Sequence, residues 1–372
     1  MEKYFIAAMS GAQWLGNGSI LRLLKFFGSA QKAWRATESE LKNAQLHQRA
    51  IESFVAFRKE HPDAPERLAD YCDRNHFGLC SYVDEDYPPL LKEISSPPAF
   101  FYYRGKLQTF VERIGIVGTR QNTGYGRKVA LELAENLAAV GLTVVSGAAR
   151  GIDTFAHRGA LKTGRTVAVL GYGFKWVYPR ENKKLLEEIA EHGLVLSEFH
   201  PDIQPSEGTF PRRNRIIAGL CRGVIVVEAG QKSGALNTAT WAVENNRDVF
   251  CVPGDIYAEM SLGCNNRIHD GESYLIRNAW DVLEHYDFDV KKLSEQKKLS
   301  AQENISVSKA PPVALDGLNA KIFEVIPADG SITDDEILDK VDDVAPYELP
   351  QILLELEMKG CIVENAGRYT RK

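Results

Sequence analysis

No two of the six cysteines, Cys72, Cys80, Cys221, Cys251, Cys264 and Cys361, stand in a C-x-x-C or knuckle spacing. Neither a structural metal nor a disulfide framework is expected, and the chain suits a reducing compartment. Long apolar runs are missing too: none approaches the roughly 20 residues a helix needs to cross a bilayer. The apolar start at residues 4–9 is broken by Ser10, Gly11 and Gln13 before it could form the core of a signal peptide. These absences predict a cytoplasmic protein without membrane contact. Nucleotide-site strings are also lacking. The glycines after the first predicted strand are not spaced G-x-G-x-x-G, which disfavours a dinucleotide. The run Gly159-Ala160-Leu161-Lys162-Thr163-Gly164-Arg165-Thr166 has Arg where a P-loop needs Lys and leads from helix into strand, the wrong way round. No cofactor is expected.

The material that is present is globular. With 44% hydrophobic and 26% charged residues the composition is ordinary, and 372 residues predict roughly two or three domains. The net charge of −5 is unevenly spread: residues 313–372 carry 13 acidic and 6 basic side chains, a net of −7, which leaves the remainder at +2. Within that mildly basic body Arg212, Arg213, Arg215 and Arg222 crowd into eleven residues, a local cluster able to attract phosphate.

Periodicity divides the chain into four parts, with expected boundaries at 1–80, 81–288, 289–312 and 313–372. The first reads as short helices, with Ile20, Leu23, Leu24 and Phe27 at helical spacing after the turn Leu15-Gly16-Asn17-Gly18. A proline-punctuated connector follows, through Tyr87-Pro88-Pro89 and Ser96-Pro97-Pro98, extended because Pro biases its predecessor out of the helix. Apolar runs at 114–117, 142–145, 166–170, 194–196, 223–227 and 248–252 then alternate with helix-compatible stretches at 127–140, 182–192 and 237–245. Such alternation predicts an α/β domain whose parallel sheet is covered on both faces and binds ligands at the carboxyl ends of its strands. Residues 291–312, rich in Lys, Ser and Gln, read as a linker. The remainder has three helical patterns and a terminal hairpin, the arithmetic of a winged helix.

Several strand ends offer anion chemistry. After the first strand come Gly118-Thr119-Arg120 and Asn122-Thr123-Gly124, glycine-containing turns that open a helix. After the second, Ser146-Gly147-Ala148-Ala149-Arg150-Gly151-Ile152-Asp153 either cradles phosphate or packs tightly, with Asp153 as a cap. His157, without a paired acid or nucleophile, reads as a core or capping histidine. Phe210-Pro211-Arg212-Arg213-Asn214-Arg215 places three arginines at the positive end of a helix, a repulsion best tolerated beside an anion. Some of them are expected to brace carboxylates such as Glu198 or Glu228 and others to face phosphate. Ser233-Gly234-Ala235 opens a further helix.

In this order, these strings closely resemble the DprA/Smf family, DNA-processing proteins of natural transformation. Tyr87-Pro88, Tyr178-Pro179, Ser197-Glu198 and Pro253-Gly254 complete the match, which spans the whole chain. The resemblance implies a sterile-alpha-motif-like helical domain, an extended Rossmann domain that binds single-stranded DNA and homodimerises, and a winged-helix tail. It also implies help in loading the RecA recombinase. Carried over by motif, Gly118, Thr119, Arg120, Ser146, Gly147, Arg150, Arg212, Arg213, Arg215, Ser233 and Gly234 become candidate DNA contacts, with Phe210 stacking on a base. Where the family has G-t-N-x-L-I-x-x-G-A, this chain has Gly263-Cys264-Asn265-Asn266-Arg267-Ile268-His269-Asp270-Gly271-Glu272, so Arg267 is a candidate extra contact.

The rival reading is a nucleotide-handling enzyme such as the Lonely-Guy phosphoribohydrolases, with the signature P-G-G-x-G-T-x-x-E. Aligned on Thr238, this chain holds Trp241 at the carboxylate position, and a glycosidic bond finds no acid there. Binding without catalysis is therefore expected, and no catalytic residue is assigned. The predicted helix 347–358 carries Glu348, Glu355 and Glu357 and no Lys or Arg, so the terminal unit is expected to meet a protein partner in preference to DNA.

Overall fold

Six short strands, buried along almost their whole length, form the centre of the computed structural model: β3 (Arg113–Val117), β4 (Thr143–Ser146), β5 (Thr166–Val169), β6 (Leu194–Ser197), β7 (Gly223–Val226) and β8 (Asp248–Cys251). The structure describes residues 1–108, 111–288, 317–327, 332–341, 344–345, 348–358, 361–365 and 368–371. They fall in two units, Met1–Ala301 and Gln302–Lys372. The expected linker at 289–312 lies outside the described residues.

The six strands pair in parallel, as their uniform burial requires. Two strands precede them, β1 (Gly78–Ser81) and β2 (Phe100–Gly105), and one follows, β9 (Tyr274–Leu275). The nine-stranded order is β1-β2-β6-β5-β4-β3-β7-β8-β9, with β2 antiparallel to β6 and β1 antiparallel to β2. The sequence reads the segment before Gly105 only as an extended connector; the partner that makes it a strand, β6, lies some ninety residues onward. Side chains alternate across the sheet. Ile114 and Ile116 join Ile225 and Phe250 under α8 (Gly124–Ala139) and α9 (Ile152–Thr163), while Val117, Val224 and Val226 lie under α11 (Thr209–Leu220) and α12 (Gly234–Glu244). The chain leaves β3 for β4, β5 and β6 on one side and returns to β7 on the other. That reversal opens a crevice at the carboxyl ends of β3 and β7.

Six helices occupy the first 74 residues: α1 (Glu2–Met9), α2 (Asn17–Phe27), α3 (Ala30–Arg35), α4 (Glu38–Asn43), α5 (Gln48–Glu60) and α6 (Ala64–Arg74); α7 (Pro89–Lys92) lies between β1 and β2, and α10 (Lys183–His192) between β5 and β6. Their core, built on Ile6, Met9, Leu23 and Phe54, continues into Leu79 of β1 and Phe100 and Tyr102 of β2. Asn17 fastens the helices to the sheet. Its side-chain oxygen accepts from the Ala99 N–H at 3.1 Å, and its amide donates to Glu198 Oε2 at 3.2 Å. Glu198, at the end of β6, also receives both guanidinium arms of Arg215 at 3.1 and 2.6 Å in a buried pair.

The second unit contains helices Gly317–Val325, Asp334–Leu338 and Leu349–Met358 and an antiparallel hairpin of Ile362–Asn365 with Arg368–Arg371. Thr333 and Glu336 form a capping box on the middle helix, and Ile322, Ile337, Leu353, Leu356 and Ile362 form the core.

Because Glu198 serves Arg215 and Asn17 together, Glu198→Ala should leave a buried guanidinium unpaired and cost about 3–5 kcal/mol. Urea unfolding should show a lower midpoint with the slope retained, and an unchanged midpoint would refute this role.

Candidate nucleic-acid interface

At the switch point lies a cleft of about 790 Å³. Gly118, Thr119 and Arg120 after β3 form one wall, Phe210, Pro211, Arg213 and Asn214 of α11 another, and Ser233, Gly234, Ala235 and Asn237 of α12 a third. Tyr178, from the loop after β5, and Ser206 and Glu207, before α11, complete the rim. Gly118 is required by crowding: a Cβ there would meet Ile152 at 2.5 Å and the Glu228 carbonyl oxygen at 2.9 Å.

Two of the expected anion loops are filled by the protein's own carboxylates. The N-terminus of α8 is occupied by buried Glu228, which accepts from the Thr123 N–H at 3.0 Å and from the Thr123 hydroxyl. The Ser146-Gly147 loop is occupied by Asp153, whose Oδ2 accepts from the Gly147 and Ala149 amides at 3.1 and 3.3 Å. Burial raises the Asp153 carboxyl above its ordinary range, against the opposing pull of Arg213 and the loop amides. Ser146 Oγ donates to the Ile116 carbonyl at 2.6 Å. Neither Ser146 nor Gly147 lines the cleft.

The arginines divide sharply. Arg213 is 4% exposed; its Nη1 donates to the Gly147 carbonyl at 2.6 Å and to the Val169 carbonyl, and its Nε to Asn214 Oδ1 at 3.1 Å. Burial lowers the affinity of this guanidinium for its proton, and it remains a cation in the cleft wall. Arg215 is held by Glu198 on another face of α11. Arg212 is exposed, with its guanidinium 5.4 Å from the centre of the Phe199 ring. Arg222 lies beyond the far end of α11, beside Glu112 at 3.6 Å and over Tyr286, so closeness in sequence does not make it part of one patch. Arg150 pairs with Glu181. Arg267 is not in the cleft lining and is engaged by Glu272 at 3.3 Å and Thr240 at 3.0 Å.

Arg120 behaves differently. It is exposed, has no carboxylate partner among the described residues, and lies 5.1 Å from the centre of the Phe210 ring. Phe210 in turn lies 5.6 Å from Tyr178, with the rings inclined by 38°. Tyr178, which the sequence shows only as half of a Tyr-Pro string, thus becomes a second aromatic wall. Beside this ladder the first turn of α12 presents its amides, with the Ser233 hydroxyl capping Ala235. A cation, stacked rings and a helix N-terminus together suit an anionic chain that carries flat groups.

His157 has no place at the cleft. It is fully buried in α9; Nδ1 lies 2.6 Å from Thr166 Oγ1, which donates to the Val144 carbonyl, so this nitrogen carries the proton. Burial first, and Arg213 second, depress its pKa to about 3. Trp241, on α12, packs half-buried against the core. Among the described residues no three His, Cys, Asp or Glu side chains gather as a metal site, and no helix is long and apolar enough to cross a membrane.

Two outcomes follow from this division of charge. Arg213→Ala strips two strand-end carbonyls of their donor and should cost about 2–4 kcal/mol, whereas Arg120→Ala should shift the unfolding midpoint by no more than about 0.5 kcal/mol; equal losses in thermal melts would contradict the division. His157 stays neutral when folded but takes a proton when unfolded. Its contribution to stability should be intact above about pH 6.5 and fall away as the pH drops towards 3, by up to about 1.4 kcal/mol per unit. His157→Asn should flatten the pH dependence of urea midpoints in that window, and an unchanged slope would show that another group causes it.

Residues 78–287 match the family described as DNA recombination-mediator protein A. Protein Smf of Synechocystis is 39% identical over 282 residues, 74% of this chain and 70% of its own. DNA processing protein DprA of Streptococcus pneumoniae is 43% identical over 214 residues, 57% of this chain and 75% of its own. An X-ray structure of DprA from that species superposes with a TM-score of 0.67 at 35% identity, covering 76% of this chain and 98% of the other. A Helicobacter pylori DprA structure, described for its single-stranded DNA binding mode, has a TM-score of 0.52 at 30% identity and covers 57% of this chain and 98% of its own. With the cleft at its switch point and its motifs in order, the chain belongs to the DprA/Smf family of DNA-processing proteins.

Proposed function

We propose that this protein binds single-stranded DNA across the cleft, protects incoming strands and helps to load the RecA recombinase during natural transformation and recombination. The observation that carries the reading is the ladder of Arg120, Phe210 and Tyr178 beside the α12 N-terminus. Arg120 and the α12 amides meet phosphates, and the rings stack on bases; neither contact reads sequence. The single-stranded DNA binding described for the Helicobacter pylori relative supports the same ligand. On this reading Gly118, Thr119, Arg120, Phe210, Ser233 and Gly234 touch DNA, Arg150 and Arg212 stand outside the lining, and Ser146, Gly147, Arg213 and Arg215 hold the walls in place.

The organisation we propose is a helical, sterile-alpha-motif-like region over 1–80, a Rossmann-like DNA-binding domain over 81–288, a linker over 289–312 and a winged-helix unit over 313–372. The last, at net −7, suits a protein partner better than phosphate. Exposed Tyr274 and Leu275 on the edge strand β9, with exposed Trp280 nearby, support homodimerisation through the Rossmann domain. Trp241 in place of a catalytic carboxylate favours binding over hydrolysis.

In mobility-shift titrations, single strands should bind with little sequence preference, more tightly than blunt duplex and with affinity falling steeply as salt rises. Arg120→Ala should weaken binding by about 1–3 kcal/mol. Equal affinity for duplex and single strand would sink the proposal.

A further inference from the structure

The loop that brings Tyr178 to the cleft carries a second exposed aromatic, outside the lining, that the contacts described so far leave unused. Trp176 stands two residues before Tyr178 and is 39% exposed, with Val177 and Ile203 exposed beside it. Its ring is anchored. The indole N–H donates to the Asp202 carbonyl at 3.0 Å, while the Lys175 and Gly173 amides donate to the Pro201 and Ile203 carbonyls at 3.1 and 2.8 Å. The loop is seated on the protein by Phe174, which stacks on Phe77 at 5.0 Å and 29°, with Arg104 over the same ring. An indole whose polar end is satisfied and whose apolar body remains in water presents a preformed stacking surface. The surroundings suit a polyanion: Arg180 is exposed, without an ion-pair partner among the described residues, and two neighbouring carboxylates are already paired, Asp202 with Lys175 and Glu181 with Arg150.

We propose that Trp176 is a further DNA-binding residue, a second stacking platform that carries the strand out of the cleft past Tyr178. This rests on the single-stranded DNA reading of the cleft. Two residues of extended chain span at most about 7 Å, so neighbouring bases of one strand can occupy Tyr178 and Trp176 in turn. Stacking on an exposed ring tolerates any base, so the platform lengthens the footprint without adding sequence preference. A strand too short to leave the cleft gains nothing from it.

The test is affinity as a function of length, using the full chain and oligothymidylates of about four and about twelve nucleotides. Trp176→Ala should leave the short oligomer's affinity unchanged and weaken the long one about fivefold or more. Trp176→Phe, which keeps a ring, should restore most of the loss. Only the long oligomer should produce extra quenching of tryptophan fluorescence in the wild type relative to Trp176→Phe. Equal weakening at both lengths would make Trp176 a support of the cleft, and no weakening at either would make it a bystander; each result overturns the inference while leaving the cleft as the DNA site. Failure of the wild type to bind either oligomer would instead overturn the DNA reading itself, and this inference with it.

Discussion

One buried guanidinium ties the floor of the cleft together. Arg213 enters from α11 and donates to carbonyls at the ends of β4 and β5, just past the point where the ladder between these two strands finishes at Ser146 and Ala168. Without a donor those carbonyls would be buried and unsatisfied. Placing the donor on a helix that crosses the sheet locks α11, and therefore Phe210 one turn earlier, against the strand ends. Gly147 is shaped by the same contact, since a Cβ there would run into the guanidinium.

Around this cation the protein allocates its carboxylates to internal work. Asp153 orders the loop after β4, Glu228 caps α8, and Glu198 clamps Arg215 and Asn17. Each fills a place that composition alone would offer to a phosphate. Within the cleft, the groups left free to meet an external anion are Arg120, which lies over Phe210, and the first turn of α12. On the proposed reading, a strand would meet a preordered wall there, so few side chains would need to be immobilised on binding.

Much of the α/β core is legible from the chain. The apolar run 114–117 lies within β3 because a strand buried on both faces is apolar through its middle, with polar residues such as Arg113 confined to its ends, and the helical pattern 127–140 agrees with Gly124–Ala139 because its small and apolar residues recur at helical spacing. The limits of α9 are harder to see. Gly159 lowers helix propensity there, yet a side chain at that position would collide with the Leu131 carbonyl of α8, so the packing of two helices requires what local propensity disfavours. Strands β1 and β2 are less legible still, because a short extended segment becomes a strand only when another edge is free to pair with it.

By itself the sequence determined the alternation of strand and helix, the small residues at the strand ends and the order of motifs that marks the family, since these depend on neighbours a few positions apart. Which of those motifs face outward was decided by tertiary structure. Arg212, Arg213 and Arg215 are close in the chain, but helical rotation sends them to different faces; Arg213 finds Gly147 and Val169, 66 and 44 residues away, and Arg215 finds Glu198, 17 residues away. Thr123 meets Glu228 across 105 residues. Charge and hydrogen bonding act through space, so a basic or glycine-rich string becomes a binding surface only where the fold has not already supplied its counter-charge.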